Sequence, residues 1–358
     1  MSVNNPSEFE IVQNSNELVP HPRLKIATFN LFNYLEPPFA YYDFERIYSA
    51  EQWHKKQRWI ADYLHQFKPD VIAFQEVFSP ESLRELVLKE GYPYFAVVDQ
   101  AEIVDDFICR SPVVAIASRY PIKDVQAPQA DIEQAVAIGL TDDFSFSRKI
   151  LRATVDLPHI GDCDCYVVHF KSKRPMLEFE NNESLSGEKN IVEKLKAQLV
   201  GGWGSTIQRG SEAALLMVNM INRREKTGLP MIMMGDFNNT LADGILTHLI
   251  TDSLRFVSKR ESDAFLAKYL LKDAWDLYQA TDNDTQHIIR KPTHYFGETS
   301  SVLDYILLSS EFDACCQSSL FEVSDYHTYD RHLINPVFAR DGESTDHGIV
   351  LITLALRS

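Results

Sequence analysis

Residues 231–235, MIMMG, carry four large apolar side chains and a glycine straight into Asp236, Phe237 and Asn238. An apolar run this short, preceded by Gly228 and Pro230 and closed by Gly235, reads as a strand buried on both faces of a sheet. Such a strand needs a covering layer above and below, and its polar end sits at the edge of the sheet. The pattern recurs along the chain. Asn30 follows IATF, Glu76 follows VIAFQ, His169 follows YVV, Asp304 opens DYILL, and Asp346-His347 directly precede IVLITLAL. Singly, these residues have structural explanations: a turn or helix cap for Asn30, Asn238 or Asp236, a packed histidine for His169. If the strands of two packed sheets converge at one end, the same residues form one cluster, and packing does not require it.

Between the strand ends the chain alternates elements. KIATFNL (25–31), VIAFQEV (71–77), VVAIAS (113–118), LRATVDL (151–157), CYVVHF (165–170), LDYILLS (303–309) and IVLITLAL (349–356) are expected strands. EQWHKKQRWIADYLHQF (51–67) has helical periodicity with Trp53, Ile60, Leu64 and Phe67 on its apolar face, and Lys68-Pro69 stops it. Pro80 to Lys89 and SEAALLMVNMINRRE (211–225) are further expected helices. Residues 176–210, which include GGWGS, and 321–345, rich in His, Asp and Tyr, are expected to be long functional loops. Interleaved strands and helices without a break in composition predict one α/β domain over 24–358, preceded by a polar tail over 1–23.

A chain of 358 residues that is 45% hydrophobic can bury a substantial core. Its 35 Lys and Arg against 51 Asp and Glu give a net charge of −16, which disfavours nonspecific attraction to DNA or anionic membranes while leaving room for a local basic groove. Cys109, Cys163, Cys165, Cys315 and Cys316 lack zinc-site spacing and are expected to be reduced thiols. The first twenty residues have no basic start and no apolar h-region, and no later run is long enough to span a membrane. The expectation is a cytoplasmic protein with no membrane-spanning segment, and nothing calls for a protein partner.

The cluster's chemistry follows from its donor types. Carboxylate and carboxamide oxygens are hard ligands that suit Mg²⁺, Mn²⁺ or Ca²⁺. Glu76 is the first candidate ligand. Two histidines without H-E-x-x-H spacing argue against a zinc hydrolase and for proton transfer to a substrate oxygen, which makes a phosphate ester the natural substrate. Lys171 and Lys173 in HFKSK are candidates for a nonscissile phosphate, with Arg152 and Arg209 as weaker ones. Trp203 either stacks on a base or anchors its loop.

TFN (28–30), PDVIAFQEV (69–77), VVHFKSK (167–173), MGDFNNT (234–240), LDYILLS (303–309) and STDHGIV (344–350) together resemble the endonuclease/exonuclease/phosphatase, or DNase I-like, superfamily, in that family's order. The resemblance implies two packed mixed β-sheets flanked by helices, a four-layer α/β sandwich with its site at one end. It further implies that Glu76, with Asn30 and Asp346, binds the metal, and that Asp236 with Asn238 positions or activates water. His347, held by Asp304, and His169 would stabilise the phosphate.

Within that superfamily, inositol polyphosphate 5-phosphatases follow G-D-x-N with an aromatic-Arg pair, where this chain has Asn239-Thr240; abasic-site endonucleases place a lysine two residues after the glutamate, where this chain has Phe78. HFKSK followed by Arg174 resembles bacterial nucleases of the superfamily. The expectation is a nucleic-acid phosphodiesterase, with a small-molecule or lipid phosphoesterase, sphingomyelinase-like, as the alternative.

Overall fold

The computed structural model describes residues 22–357 other than 105, 181–182, 252–253, 255–264, 282–287 and 318. Residues 1–21 of the expected tail lie outside the described residues.

Twelve strands build two six-stranded sheets. In chain order they are β1 (Arg23–Tyr34), β2 (Val71–Val77), β3 (Tyr94–Val97), β4 (Val113–Ser118), β5 (Ile122–Gln126), β6 (Leu151–Leu157), β7 (Gly161–His169), β8 (Met231–Asp236), β9 (Lys272–Asp273), β10 (Asp304–Leu308), β11 (Phe321–Tyr329) and β12 (Ile349–Leu356). The first sheet runs β11-β12-β1-β2-β4-β3 and the second β9-β10-β8-β7-β6-β5. Both are mixed: β1 pairs parallel with β2, and β7 parallel with β8, among antiparallel neighbours.

Strand alternation sorts side chains into layers. Ile26, Val71, Ala73 and Ile116 of one sheet meet Ala153, Val155, Val167, Ile232, Met234 and Ile306 of the other. The alternate residues face outward: Ala27, Phe29, Ile72 and Phe74 pack under the helices α1 (Ala50–Phe67) and α2 (Pro80–Lys89), while Tyr166, Val168, Met231 and Met233 pack under α3 (Gly187–Thr227). The result is the expected four layers. MIMMGD is buried at all six positions, as a strand covered on both faces must be.

Local signals account for the helices. Ser49 and Gln52 form a reciprocal capping box at the start of α1, and Lys68 ends it in the left-handed conformation. Ser186 caps α3 and Gly228 closes it at φ +68°. Helix α3 corrects one expectation, because it begins at Gly187 and includes GGWGS. Gly201 is a packing residue: a Cβ there would lie 2.6 Å from the Leu177 backbone nitrogen, so the 175–177 segment crosses the helix there. Residues 321–345 correct a second. Phe321–Tyr329 is a full edge strand whose period-two pattern is broken by a bulge between Val323 and Asp325.

Among the described residues, no helix is long and apolar enough to cross a membrane, and all five cysteines are free.

Candidate active site

The strand ends converge. Register places His169 of β7 opposite Asp236 of β8, and Asp236 opposite Asp304 of β10, so one transverse row crosses the second sheet. Gly235 allows this pairing at φ +151°, where any Cβ would collide with the Val168 carbonyl oxygen. From the first sheet, β1 brings Asn30 and β2 brings Glu76. The turn before β12 brings Asp346 and His347.

Asp236 is the hub. Its Oδ1 accepts from the Asn238 backbone N–H at 2.7 Å, and its Oδ2 accepts from Asn30 Nδ2 at 3.2 Å and Asn238 Nδ2 at 3.3 Å. His169 Nε2 lies 3.5 Å and His347 Nε2 3.9 Å from the same Oδ2. His347 Nδ1 meets Asp304 Oδ2 at 2.8 Å, and Thr293 Oγ1 fixes Asp304 by accepting its backbone N–H. Thr345 ties the turn before β12 to the end of β1, donating to the Asn30 carbonyl at 2.7 Å and accepting from the His347 N–H.

Burial and charge set the protonation states. Burial lowers the pKa of His347, but Asp304 and Asp236 outweigh it and hold the imidazole well above its ordinary range. Burial, reinforced by the charges of Arg148 and His347, keeps His169 well below that range and therefore neutral. Burial pushes Asp236 up to about 7, opposed by His347. Glu76 is also raised, first by burial and then by Asp346.

That last effect bears on metal binding. Two carboxylates destabilise each other's charge in one cleft, and among the described hydrogen bonds Glu76 takes only the Asn33 backbone N–H, on Oε2 at 3.0 Å. Hard oxygen donors that repel one another fit a divalent cation. Asp346, His347 and His294 also have donor atoms within 4.8 Å of one another, as do Asp236, Asp304 and His347. In the second trio a 2.8 Å bond already joins Asp304 Oδ2 to His347 Nδ1. Asp304 and His347 form a hydrogen-bonded pair facing Asp236, and Glu76 and Asp346 are the carboxylates of the cleft that could hold a cation.

These residues open into a cleft of about 780 Å³ whose lining includes Glu76, His169, Asp236, Asn238, Asp346 and His347. Among the described residues nine non-glycines have positive φ, and six of them, Phe32, Asn33, Tyr42, Glu76, Ser111 and Asn238, line this cleft. Each costs on the order of 1 kcal/mol, so strain concentrates at the cleft.

The expected substrate cations divide. Lys171 lines the cleft, its backbone N–H donating to Glu212 Oε2 at 2.8 Å and its carbonyl accepting from Arg209 at 2.9 Å. Arg209 is therefore a buried support for Lys171. Arg152 is 3% exposed and bonded to Asp124, Asp164 and Thr154 beneath α3, which corrects the expectation that it meets substrate. Lys173 is exposed and outside the cleft lining. Sequence reading missed Arg148, Arg174, Arg46 and Arg110, all in the lining, and His294 beside His347. Arg148 had a usable signal, a cation just before the LRATVDL strand. Arg46 and Arg174 come from loops, and Arg110 and His294 from three-residue strands outside the two main sheets.

Two packed mixed sheets with carboxylates and imidazoles gathered at one end define a DNase I-like α/β sandwich. A family model described as the endonuclease/exonuclease/phosphatase family matches residues 27–347, and the chain belongs to that family, whose members are phosphoester hydrolases. No curated protein matches the chain significantly. Among solved structures, the human Nocturnin catalytic domain with bound sulfate is similar at 15% identity and TM-score 0.54, covering 94% of this chain and 96% of that one. An endonuclease/exonuclease/phosphatase from Bacteroides vulgatus matches at 14% and 0.50, covering 94% and 100%. D. rerio TDP2 complexed with a single-strand DNA product matches at 12% and 0.50, covering 93% and 98%.

Proposed function

We propose that this chain is a divalent-cation-dependent phosphodiesterase that cleaves nucleic-acid strands. The observation that carries the reading is the Asp304–His347–Asp236 relay, with neutral His169 beside it, in a cleft that also presents paired carboxylates and several cations.

Glu76 and Asp346, with Asn30, would hold Mg²⁺ or Mn²⁺, and the ion when bound neutralises phosphoryl oxygens. Asp236, raised to about 7 and oriented by Asn30 and Asn238, accepts a proton from the attacking water. His347, kept protonated by Asp304 and Asp236, donates to a phosphoryl oxygen where negative charge develops; donors of this kind typically contribute about 10²–10³ in rate. His169 supplies a neutral donor on the opposite side. Arg148 and Lys171 offer charge to a flanking phosphate, which a strand possesses and a monoester lacks. The DNA product held by D. rerio TDP2 and the sulfate held by Nocturnin support an anionic phosphoester. A second reading, a small or lipid phosphoester, is favoured by exposed Phe44 and Met176, which neighbour the cleft-lining Tyr42, Arg46 and Arg174 in sequence.

The test compares single-stranded DNA, bis-(p-nitrophenyl) phosphate and p-nitrophenyl phosphate, with Mg²⁺ or Mn²⁺ and with EDTA. Cation-dependent cleavage of DNA and the diester, lost in His347→Ala, is expected. Cleavage of the monoester alone would replace the reading with a phosphatase.

A further inference from the structure

Two histidines from distant parts of the chain stand side by side at the cleft. His294 opens a short strand, His294–Phe296, that pairs with Thr299–Ser301, and an isolated antiparallel bridge sets it against His347. Gly348 permits the approach. A Cβ there would lie 3.2 Å from the Thr293 Cα, and the Gly348 N–H donates to the Thr293 carbonyl at 2.6 Å. Thr293 Oγ1 in turn accepts from the Leu303 and Asp304 N–H groups at 2.9 and 3.1 Å, so the hairpin is fixed to the strand end that carries Asp304. The two imidazole centroids are 5.3 Å apart.

Asp346 completes a trio. One donor atom each from His294, Asp346 and His347 lies within 4.8 Å of the other two. Asp304 already holds His347 Nδ1 at 2.8 Å, which leaves Nε2 as the coordinating nitrogen. A carboxylate on the far nitrogen is how proteins orient metal-bound histidines: it fixes the tautomer and raises the basicity of the ligating nitrogen. Among the described residues, neither ring nitrogen of His294 makes a hydrogen bond, so its lone pair is free of protein partners. His294 is half-buried and Asp346 is exposed, which lets an ion enter from solvent and keep water in an open position.

The donor types discriminate among ions. Mg²⁺ and Ca²⁺ take oxygen, which Glu76, Asp346 and Asn30 offer, whereas two imidazoles with one carboxylate suit Zn²⁺. Sequence spacing hid this set, because His294 and His347 belong to no H-E-x-x-H pattern and meet only through the bridge. An ion bound here would occupy the Nε2 lone pair of His347, so the ring could no longer donate a proton to a phosphoryl oxygen. It would also draw Asp346 away from the activating cation.

We propose that His294, Asp346 and His347 form a zinc site whose occupation inhibits this protein. The inhibition rests on the phosphodiesterase reading, and the binding does not. The experiment uses the full-length protein, wild type and His294→Phe, with three readouts: Co²⁺ absorption, equilibrium dialysis against Zn²⁺, and turnover of bis-(p-nitrophenyl) phosphate in saturating Mg²⁺ with increasing Zn²⁺. Wild type should show the visible bands of a tetrahedral, nitrogen-ligated Co²⁺, retain Zn²⁺ on dialysis and lose turnover as Zn²⁺ binds. The variant keeps a ring against His347, so it should keep its turnover in Mg²⁺ alone and lose the Co²⁺ bands. Loss of a group that merely orients a ligand costs about 10–100-fold in affinity, so losing His294 itself should raise the Zn²⁺ needed for half-inhibition about a hundredfold or more. Equal inhibition of both proteins would overturn the proposal and place the ion on the Glu76 and Asp346 carboxylates. Absence of zinc binding by wild type, or zinc that binds and leaves turnover unchanged, would also overturn it. Zinc binding that His294→Phe abolishes, with no turnover by either protein in any cation, would sustain the site and overturn the hydrolase reading.

Discussion

Replacing Asp304 by asparagine keeps the shape of the side chain and removes one charge. Asp304 is fully buried and His347 is 7% exposed, so their 2.8 Å contact is unscreened by solvent. A hydrogen bond to a charged partner contributes about 1.5–3 kcal/mol; lost from the transition state, that predicts a fall of about 10–150-fold in kcat. The pH dependence gives the sharper readout. His347 acts as a donor while protonated, so activity falls as pH rises through its raised pKa. Removing Asp304 removes the largest upward influence on that pKa, and the alkaline limb should move to lower pH. Stability follows the same sign. The raised imidazole contributes stability in full below the ordinary histidine pKa of about 6.5 and loses it as pH rises through the native value. Asp304→Asn should therefore destabilise the protein most at mildly acidic pH and least at alkaline pH. The assay is kcat against pH on bis-(p-nitrophenyl) phosphate, paired with thermal unfolding across the same range. An unmoved alkaline limb, or a loss of less than about threefold, would refute the relay.

Glu76→Gln should weaken divalent-cation activation, raising the cation concentration for half-maximal turnover at least about tenfold, read from a Mn²⁺ titration of rate; an unchanged midpoint would remove Glu76 from the cation site. Arg148→Ala should raise KM for DNA at least about tenfold and raise KM for bis-(p-nitrophenyl) phosphate less, because its cation serves a flanking phosphate; equal effects on both would assign it to the scissile group. Arg152→Ala leaves buried Asp164 with Arg223 as its remaining ion-pair partner and should cost about 3 kcal/mol of stability in denaturant unfolding, with kcat of the folded fraction unchanged.

The strands carrying the site were legible because burial on both faces leaves an uninterrupted apolar run, and each run has a polar or ionisable residue at one end, a repetition that carries more than any one of them. Residues 30, 76, 169, 236, 304 and 347 converge because parallel and antiparallel register carries those ends to one edge. Helix α3 was illegible over its first half because glycine ordinarily breaks a helix, and Gly201 serves instead to let the 175–177 backbone cross. Arg152 misled because a basic residue in a strand gives no sign of Asp124 and Asp164, which come from other strands. Arg46 and Arg174 lie in loops and Arg110 ends a three-residue strand, where the position of a side chain depends on the tertiary path and leaves no periodic trace. His294 reaches His347 through a single bridge between distant segments, which local pattern cannot show.

The most direct test of the central claim is hydrolysis of bis-(p-nitrophenyl) phosphate by the full-length protein with Mn²⁺, with EDTA, and with His347→Ala. The account predicts turnover with the cation, none with the chelator, and a loss of about 10²-fold or more in the variant. Turnover that survives EDTA, or a variant as active as wild type, would contradict it.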